Sequence, residues 1–174
     1  MPVYERETVV DAPFEEVWAF HSHHSGLEAL TPDWMHLRVE TAVGPDGEPD
    51  PETLEPGATI ESTIAPFGVA PRQRWVSRIV AREEREGTAT FSDEMVRGPF
   101  PKWVHTHTFE AVDGGAASES SGTSSERSSD GGTRIHDRVE YELPVVRGLL
   151  GPLGSIGFEP MFRYRHRKTK ELLE

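Results

Sequence analysis

The sequence has no cysteine, which excludes both a disulfide framework and a thiolate-ligated metal. Lysine is nearly absent: Lys102, Lys168 and Lys170 are the only three in 174 residues. No run approaches the roughly 20 consecutive apolar residues that span a bilayer. Residues 1–6 also lack the basic start and apolar run of a secretory signal, so a cytoplasmic protein is expected. Basic charge is scarce overall, with 18 Lys and Arg against 30 Asp and Glu and a net charge of -12. Such a surface disfavours nucleic acid, whose affinity rests on neutralised phosphates, and no nucleic-acid partner is expected. It suits a cytoplasm rich in salt, where screening suppresses the repulsion among carboxylates; an ordinary acidic protein is the plainer alternative. Arginine in place of lysine fits the saline reading, because guanidinium is the more weakly hydrated cation.

What is present reads as one domain, and the length suffices for a core without covalent staples. Residues 3–10 alternate as a strand and run into Asp11-Ala12-Pro13, a helix start with Asp11 as cap and Glu15 and Glu16 at the positive end of the dipole. Phe14, Val17, Trp18 and His21 then recur at helical spacing. A second helical turn is expected at 26–30. Strands follow at 36–43, 58–66, 72–83, 88–96, 102–112 and 133–143, joined by short connections without crossover helices, hence an antiparallel sheet. In 72–83, Trp75, Ser77, Ile79 and Ala81 fall on one face and Arg72, Arg74, Arg78 and Arg82 on the other.

Two segments break the rhythm. Residues 113–132 are almost entirely Gly, Ser, Ala, Thr and acid, and read as a disordered hairpin insertion. Residues 144–157 carry Gly148, Gly151, Gly154 and Gly157 through an apolar run; their spacing is not that of a phosphate-binding loop, and a hinge or close packing is the better reading. No cofactor motif is legible and no cofactor is expected. A last helix is expected from about 160 to 173, with a basic stretch at 163–170 read as a solvated face.

Strand, short helices, six strands and a long helix suit an α+β fold in which a curved antiparallel sheet of about seven strands wraps the final helix and leaves a cavity. The chain resembles the START-like helix-grip superfamily, SRPBCC, in its polyketide cyclase/dehydrase and lipid-transport branch. The resemblance rests on Asp11-Ala12-Pro13-Phe14-Glu15-Glu16-Val17-Trp18-Ala19-Phe20-His21, Leu30-Thr31-Pro32, Asp93-Glu94, and Gly98-Pro99-Phe100 leading to Trp103-Val104-His105-Thr106-His107-Thr108-Phe109. It closes with Asp137-Arg138-Val139-Glu140-Tyr141-Glu142-Leu143-Pro144 and Phe162-Arg163-Tyr164-Arg165. It covers nearly the whole chain except the insertion. It implies binding of a lipid, polyketide, quinone or isoprenoid-like compound, with or without catalysis.

The polar residues on apolar faces carry the chemistry. Trp103, His105, His107 and Phe109 share one face of their strand, and Asp137 and Tyr141 face them from the next. Asp93, between Phe91 and Met95, is placed with them. The expected cavity is lined by Phe67, Trp75, Phe91, Met95, Trp103, Tyr141, Phe158 and Phe162, with His105, His107 and Asp137 as polar anchors. His105 and His107 suit acid/base work with Asp137 orienting an imidazole. The same three suit a metal site, or hydrogen bonding inside the sheet. His21, His23 and His24 form a second cluster, read as cations at a helix C-terminus; as a metal site they would need a carboxylate from elsewhere. His36, His136 and His166 read as surface or edge positions. Trp18, Trp34 and Trp75 read as core. Three functions are consistent with this: a binding protein for an apolar small molecule, a cyclase/dehydratase-type enzyme in the same cavity, and an accessory protein docking a partner on its acidic surface.

Overall fold

The computed structural model describes residues 1–69, 71–112, 131–143 and 153–174, with residues 153–157 as backbone only. The readings at 113–130 and 144–152 lie outside the described residues. The chain runs β1 (Val3–Val10), α1 (Phe14–His21), α2 (His24–Ala29), β2 (Arg38–Val43), β3 (Thr59–Ile64), β4 (Gln73–Arg85), β5 (Thr88–Arg97), β6 (Lys102–Val112), β7 (Gly132–Glu142) and α3 (Leu153–Leu173). The strands form one antiparallel sheet in the order β1-β7-β6-β5-β4-β3-β2. The fold is therefore the expected α+β arrangement of seven strands and a C-terminal helix.

Alternation decides which face is buried. Along β6 and β7 every second side chain is buried, Trp103, His105, His107 and Phe109 against Ile135, Asp137, Val139 and Tyr141. Register places Trp103 opposite Tyr141, His107 opposite Asp137 and His105 opposite Asp93. The outer face carries cross-strand Arg–Glu pairs, among them Arg74–Glu61 and Arg134–Glu110. Both are open to solvent and screened by salt, so they add little to stability. On the inner face one apolar cluster gathers Trp18, Phe91, Phe109 and Ile135 under α1. A second gathers Trp103, Tyr141, Phe158 and Phe162 under α3.

Four local expectations are corrected. Asp11 does not cap α1: Pro13 holds the N-cap position without a side-chain bond, and its carbonyl accepts from Glu16 and Val17. Strand β4 does not keep one face throughout. A bulge at Val80 lies between the pairs Ile79↔Asp93 and Ala81↔Ser92, so the remainder flips. Ala81 becomes exposed, and Arg82 turns inward to lie 4.0 Å over the Trp18 ring and bond Ser22. The last helix begins earlier than expected, at Leu153, and carries Pro160 within it. Trp34 is only half-buried, stacked on Phe67 at 5.0 Å rather than placed in either apolar cluster. Where α2 abuts the end of α1, Gly26 is required by space: a Cβ there would sit 2.4 Å from the Phe20 carbonyl oxygen.

Candidate functional site

Between the two apolar clusters lies a cavity of about 120 Å³. Its walls come from α2 and the loop after it (Leu27, Leu30, Met35), from β3 to β6 (Ile60, Ile79, Phe91, Trp103), and from α3 (Met161, Phe162). Its ionisable groups include Asp93 on β5, His105 and His107 on β6, Arg165 on α3, and His21 at the end of α1, with His23, Thr31, Ser62 and Ser77 also in the wall.

Asp137 on β7 organises the two β6 histidines from behind. Its Oδ1 lies 2.8 Å from His105 Nε2 and 2.8 Å from His107 Nδ1, and its Oδ2 lies 2.5 Å from His166 Nε2. An ionised carboxylate only accepts, so those three nitrogens carry the protons and the rings are fixed in tautomer and tilt. Burial by itself would raise the Asp137 pKa. The neighbouring His107 and the hydrogen bonds from three imidazoles outweigh it and hold the carboxyl well below its usual range. Burial, with the nearby His105, pushes His107 well below the ordinary histidine value, so that ring is neutral at pH 7. Asp93 is raised by burial, opposed by His105 and a hydrogen bond from Ser77; its Oδ2 lies 3.9 Å from His105 Nδ1.

The sequence-derived set divides as follows. Trp75, Phe91, Trp103, His105, His107 and Phe162 line the cavity. Met95, Tyr141 and Phe158 do not: they pack in the aromatic cluster beside it, Tyr141 edge-on to Phe158 at 4.8 Å. Asp137 stands behind the histidines rather than in the wall. Phe67 is a correction, since it is 69% exposed and stacked on Trp34. It follows Pro66 in a turn with φ of 57°, and that left-handed backbone turns its ring outward instead of continuing the β3 alternation.

Two histidines are corrected as well. His166 is buried on Asp137, not at the surface. The signal was available: Phe158, Phe162 and His166 fall four apart on one helix face. His21 is not a helix-end cation. It is buried, donates Nδ1–H to the Val17 carbonyl at 2.8 Å, and burial lowers its pKa to about 4. Its place on the α1 face with Phe14, Val17 and Trp18 foreshadowed this. Arg165 was read with the solvated basic face and instead faces the cavity.

Among the described residues, two groups have the composition of a cation site. Asp93, His105 and His107 each offer a ligand atom within 4.8 Å of the others, but Arg165 already supplies a permanent positive charge to that space. His23, His24 and Asp50 form the other, with His24 Nε2 2.6 Å from the carboxylate of the exposed Asp50. Asp50 is thus the carboxylate that the His21, His23, His24 cluster lacked in sequence.

Residues 10–164 match the family described as polyketide cyclase / dehydrase and lipid transport. The chain belongs to that family. No curated protein matches it. Among solved structures, the chain is similar to a START superfamily protein from Mycobacterium smegmatis, at 11% identity and a TM-score of 0.58, covering 98% of this chain and 96% of that one. It is similar to Ara h 8.0201 at 14% identity and a TM-score of 0.60, covering 99% and 97%. A Thalictrum norcoclaurine synthase point mutant, solved in complex with a transition-state analogue, matches at 15% identity and a TM-score of 0.52, covering 96% of each chain. At these identities the likeness is one of fold, and the polyketide cyclase/dehydrase and lipid-transport family is a hydrophobic ligand-binding one.

Proposed function

We propose that the protein binds a small apolar molecule in this cavity as a carrier or sequestering protein, with Trp75, Phe91, Trp103, His105, His107 and Phe162 in contact with it. The observation that carries the reading is the cavity itself, a partly open space of about 120 Å³ lined mainly by apolar side chains, with Asp93, His105 and His107 close together in its wall. That is the usual makeup of a small-molecule site. An apolar void of this size takes about one aromatic ring. A ring or a short chain therefore fits, as the end group of a lipid, polyketide, quinone or isoprenoid-like compound. The acidic surface leads us to place this activity in a salt-rich cytoplasm, where a net charge of -12 is screened.

The test is mass spectrometry of an organic extract from protein purified in high salt from its native host, beside an unrelated acidic protein. The expected result is one apolar compound at near one copy per chain. An empty extract, together with no binding of the one-ring neutral probe toluene by NMR titration, would overturn the proposal.

One observation favours a second reading. His107 is neutral, lines the cavity and has its Nδ1 fixed on Asp137, which is how a carboxylate orients a general base. On that reading the protein is a cyclase/dehydratase-type enzyme. A pH–rate profile left unchanged by both His105→Ala and His107→Ala would sink it.

A further inference from the structure

Arginines in this chain characteristically meet acid. Arg6 and Arg163 pair with Glu159, Arg74 with Glu61, Arg82 with Glu55, and Arg134 with Glu7 and Glu110. Among the described residues Arg38, Arg72, Arg97 and Arg165 have no such partner, and of these four only Arg165 is not exposed. It lines the cavity, and among the described residues no carboxylate oxygen lies within 4.0 Å of its guanidinium. Its Cζ lies 5.9 Å from the centroid of the buried Phe162 ring. That ring also lines the cavity and stands edge-on to His105 at 5.2 Å. The charge of Arg165 is felt at His21, Asp93 and His107, which places it near those ionisable groups.

Neither nearby carboxylate satisfies it. Asp137 spends its oxygens on three imidazole N–H groups. Asp93 faces Ser77 and His105. Burial lowers the pKa of the half-buried Arg165 guanidinium, and the charges of Asp137 and Asp93 offset this in part without a direct hydrogen bond. Arginine is also the side chain whose planar fork fits a carboxylate bidentately.

Resting on the ligand-binding reading above, we propose that the cavity's ligand is an apolar acid, a ring or short chain ending in a carboxylate that docks on Arg165. Among the described residues, Arg165 is the sole side chain in the wall with a permanent positive charge. One cation matches a monoanion; a phosphate dianion would call for a second. The ring occupies the space between Phe91, Trp103 and Ile79, and the carboxylate reaches toward α3. His107 then stands beside the ligand's charged end, where its neutrality avoids binding that end as a second cation.

The experiment is calorimetric titration in concentrated KCl of 3-phenylpropanoate and of its neutral isostere 3-phenylpropanamide, with binding of neutral toluene measured alongside by NMR. Charge-assisted hydrogen bonds predict that the acid binds at least about tenfold more tightly than the amide. Arg165→Met is expected to abolish that preference, acid and amide then binding alike; Arg165→Lys is expected to retain part of it. Should Arg165→Met fail to fold, the unmutated protein gives the same answer by NMR. The Arg165 Nε–H resonance is expected to shift on adding the acid and to stay put with the amide. Equal affinity for acid and amide overturns this inference and leaves the apolar cavity reading standing. A preference that survives Arg165→Met overturns it too, since the anion would be read elsewhere. Absence of all three ligands overturns the cavity reading and this inference with it.

Discussion

Asp137 holds three buried imidazoles, and its importance is structural before it is functional. Replacing it by Asn keeps the shape but presents an N–H₂ to one of the three N–H donors, leaving that donor unpaired inside the core. Asp137→Asn is therefore expected to destabilise the fold by about 1–3 kcal/mol, the cost of a buried unsatisfied donor. Urea unfolding measures it; a variant within about 0.5 kcal/mol of the parent, the range of an ordinary surface change, would contradict the network. The buried histidines give the fold a pH dependence of known sign. His21 has a folded pKa of about 4 against an unfolded value near 6.5. It contributes stability that is fully present above about pH 6.5 and lost as pH falls toward 4, because the unfolded chain then binds the proton first. His107 acts in the same sense, and Asp93, raised by burial, in the opposite one. The difference between parent and His21→Gln isolates the first effect: the variant should lose less stability between pH 6.5 and 4.5, by up to roughly 1.4 kcal/mol per pH unit. Parallel curves for the two proteins would show His21 exposed or already charged. At this scale the sequence revealed His105, His107 and Asp137 through period-2 alternation on neighbouring strands. It hid His166 and Arg165, because a helix end dense in Arg and Lys reads as solvated until the face shared with Phe162 is followed.

The elements themselves were legible where periodicity was clean. Strands β1 and β6 match their expected bounds, and β5 and β7 end within a residue of theirs, since alternating aromatic and β-branched residues admit one register against a buried face. Strand β4 was read correctly only up to Ile79. A bulge adds one residue without disturbing composition, so nothing in the pattern Arg-Ile-Val-Ala-Arg marks Val80 as the extra one. Its consequence is large. Without it Arg82 and Glu84 would both point to solvent, and Trp18 would lose the guanidinium over its ring and the carboxylate that accepts its indole N–H at 2.7 Å. Deleting Val80 is expected to destabilise the protein by about 2 kcal/mol or more, because a desolvated cation–π pair is lost and the strand beyond the deletion changes face. Thermal and urea unfolding would show it, and an unchanged midpoint would mean that the register slips without penalty. Phe67 was misplaced for a related reason: one residue in left-handed backbone ends the alternation of β3 and sends the ring outward onto Trp34.

At the scale of the whole molecule, resemblance and topology together identified the architecture, while the cavity's contents could not be read from composition. The fold sets three layers of argument around one space: a sheet charged on its outer face, an apolar inner face, and a helix that returns one arginine and one histidine to the interior. The net charge of -12 predicts that the melting temperature climbs as KCl rises from about 0.1 M to molar levels, where the Debye length falls from about 10 to 3 Å. A melting temperature that is flat or falling over that range would contradict the salt-adapted reading. The central claim is that the space between β3–β6 and α3 is where the ligand sits, and NMR tests it most directly. Protein labelled at its methyl groups is mixed with 3-phenylpropanoate, and intermolecular NOEs are recorded. The account predicts NOEs from the ligand's ring protons to the methyls of Ile60, Ile79 and Met161, and a loss of binding in Ile79→Phe, which fills the space. NOEs to the exposed Phe67 and Val69 region instead, unaffected by Ile79→Phe, would contradict it.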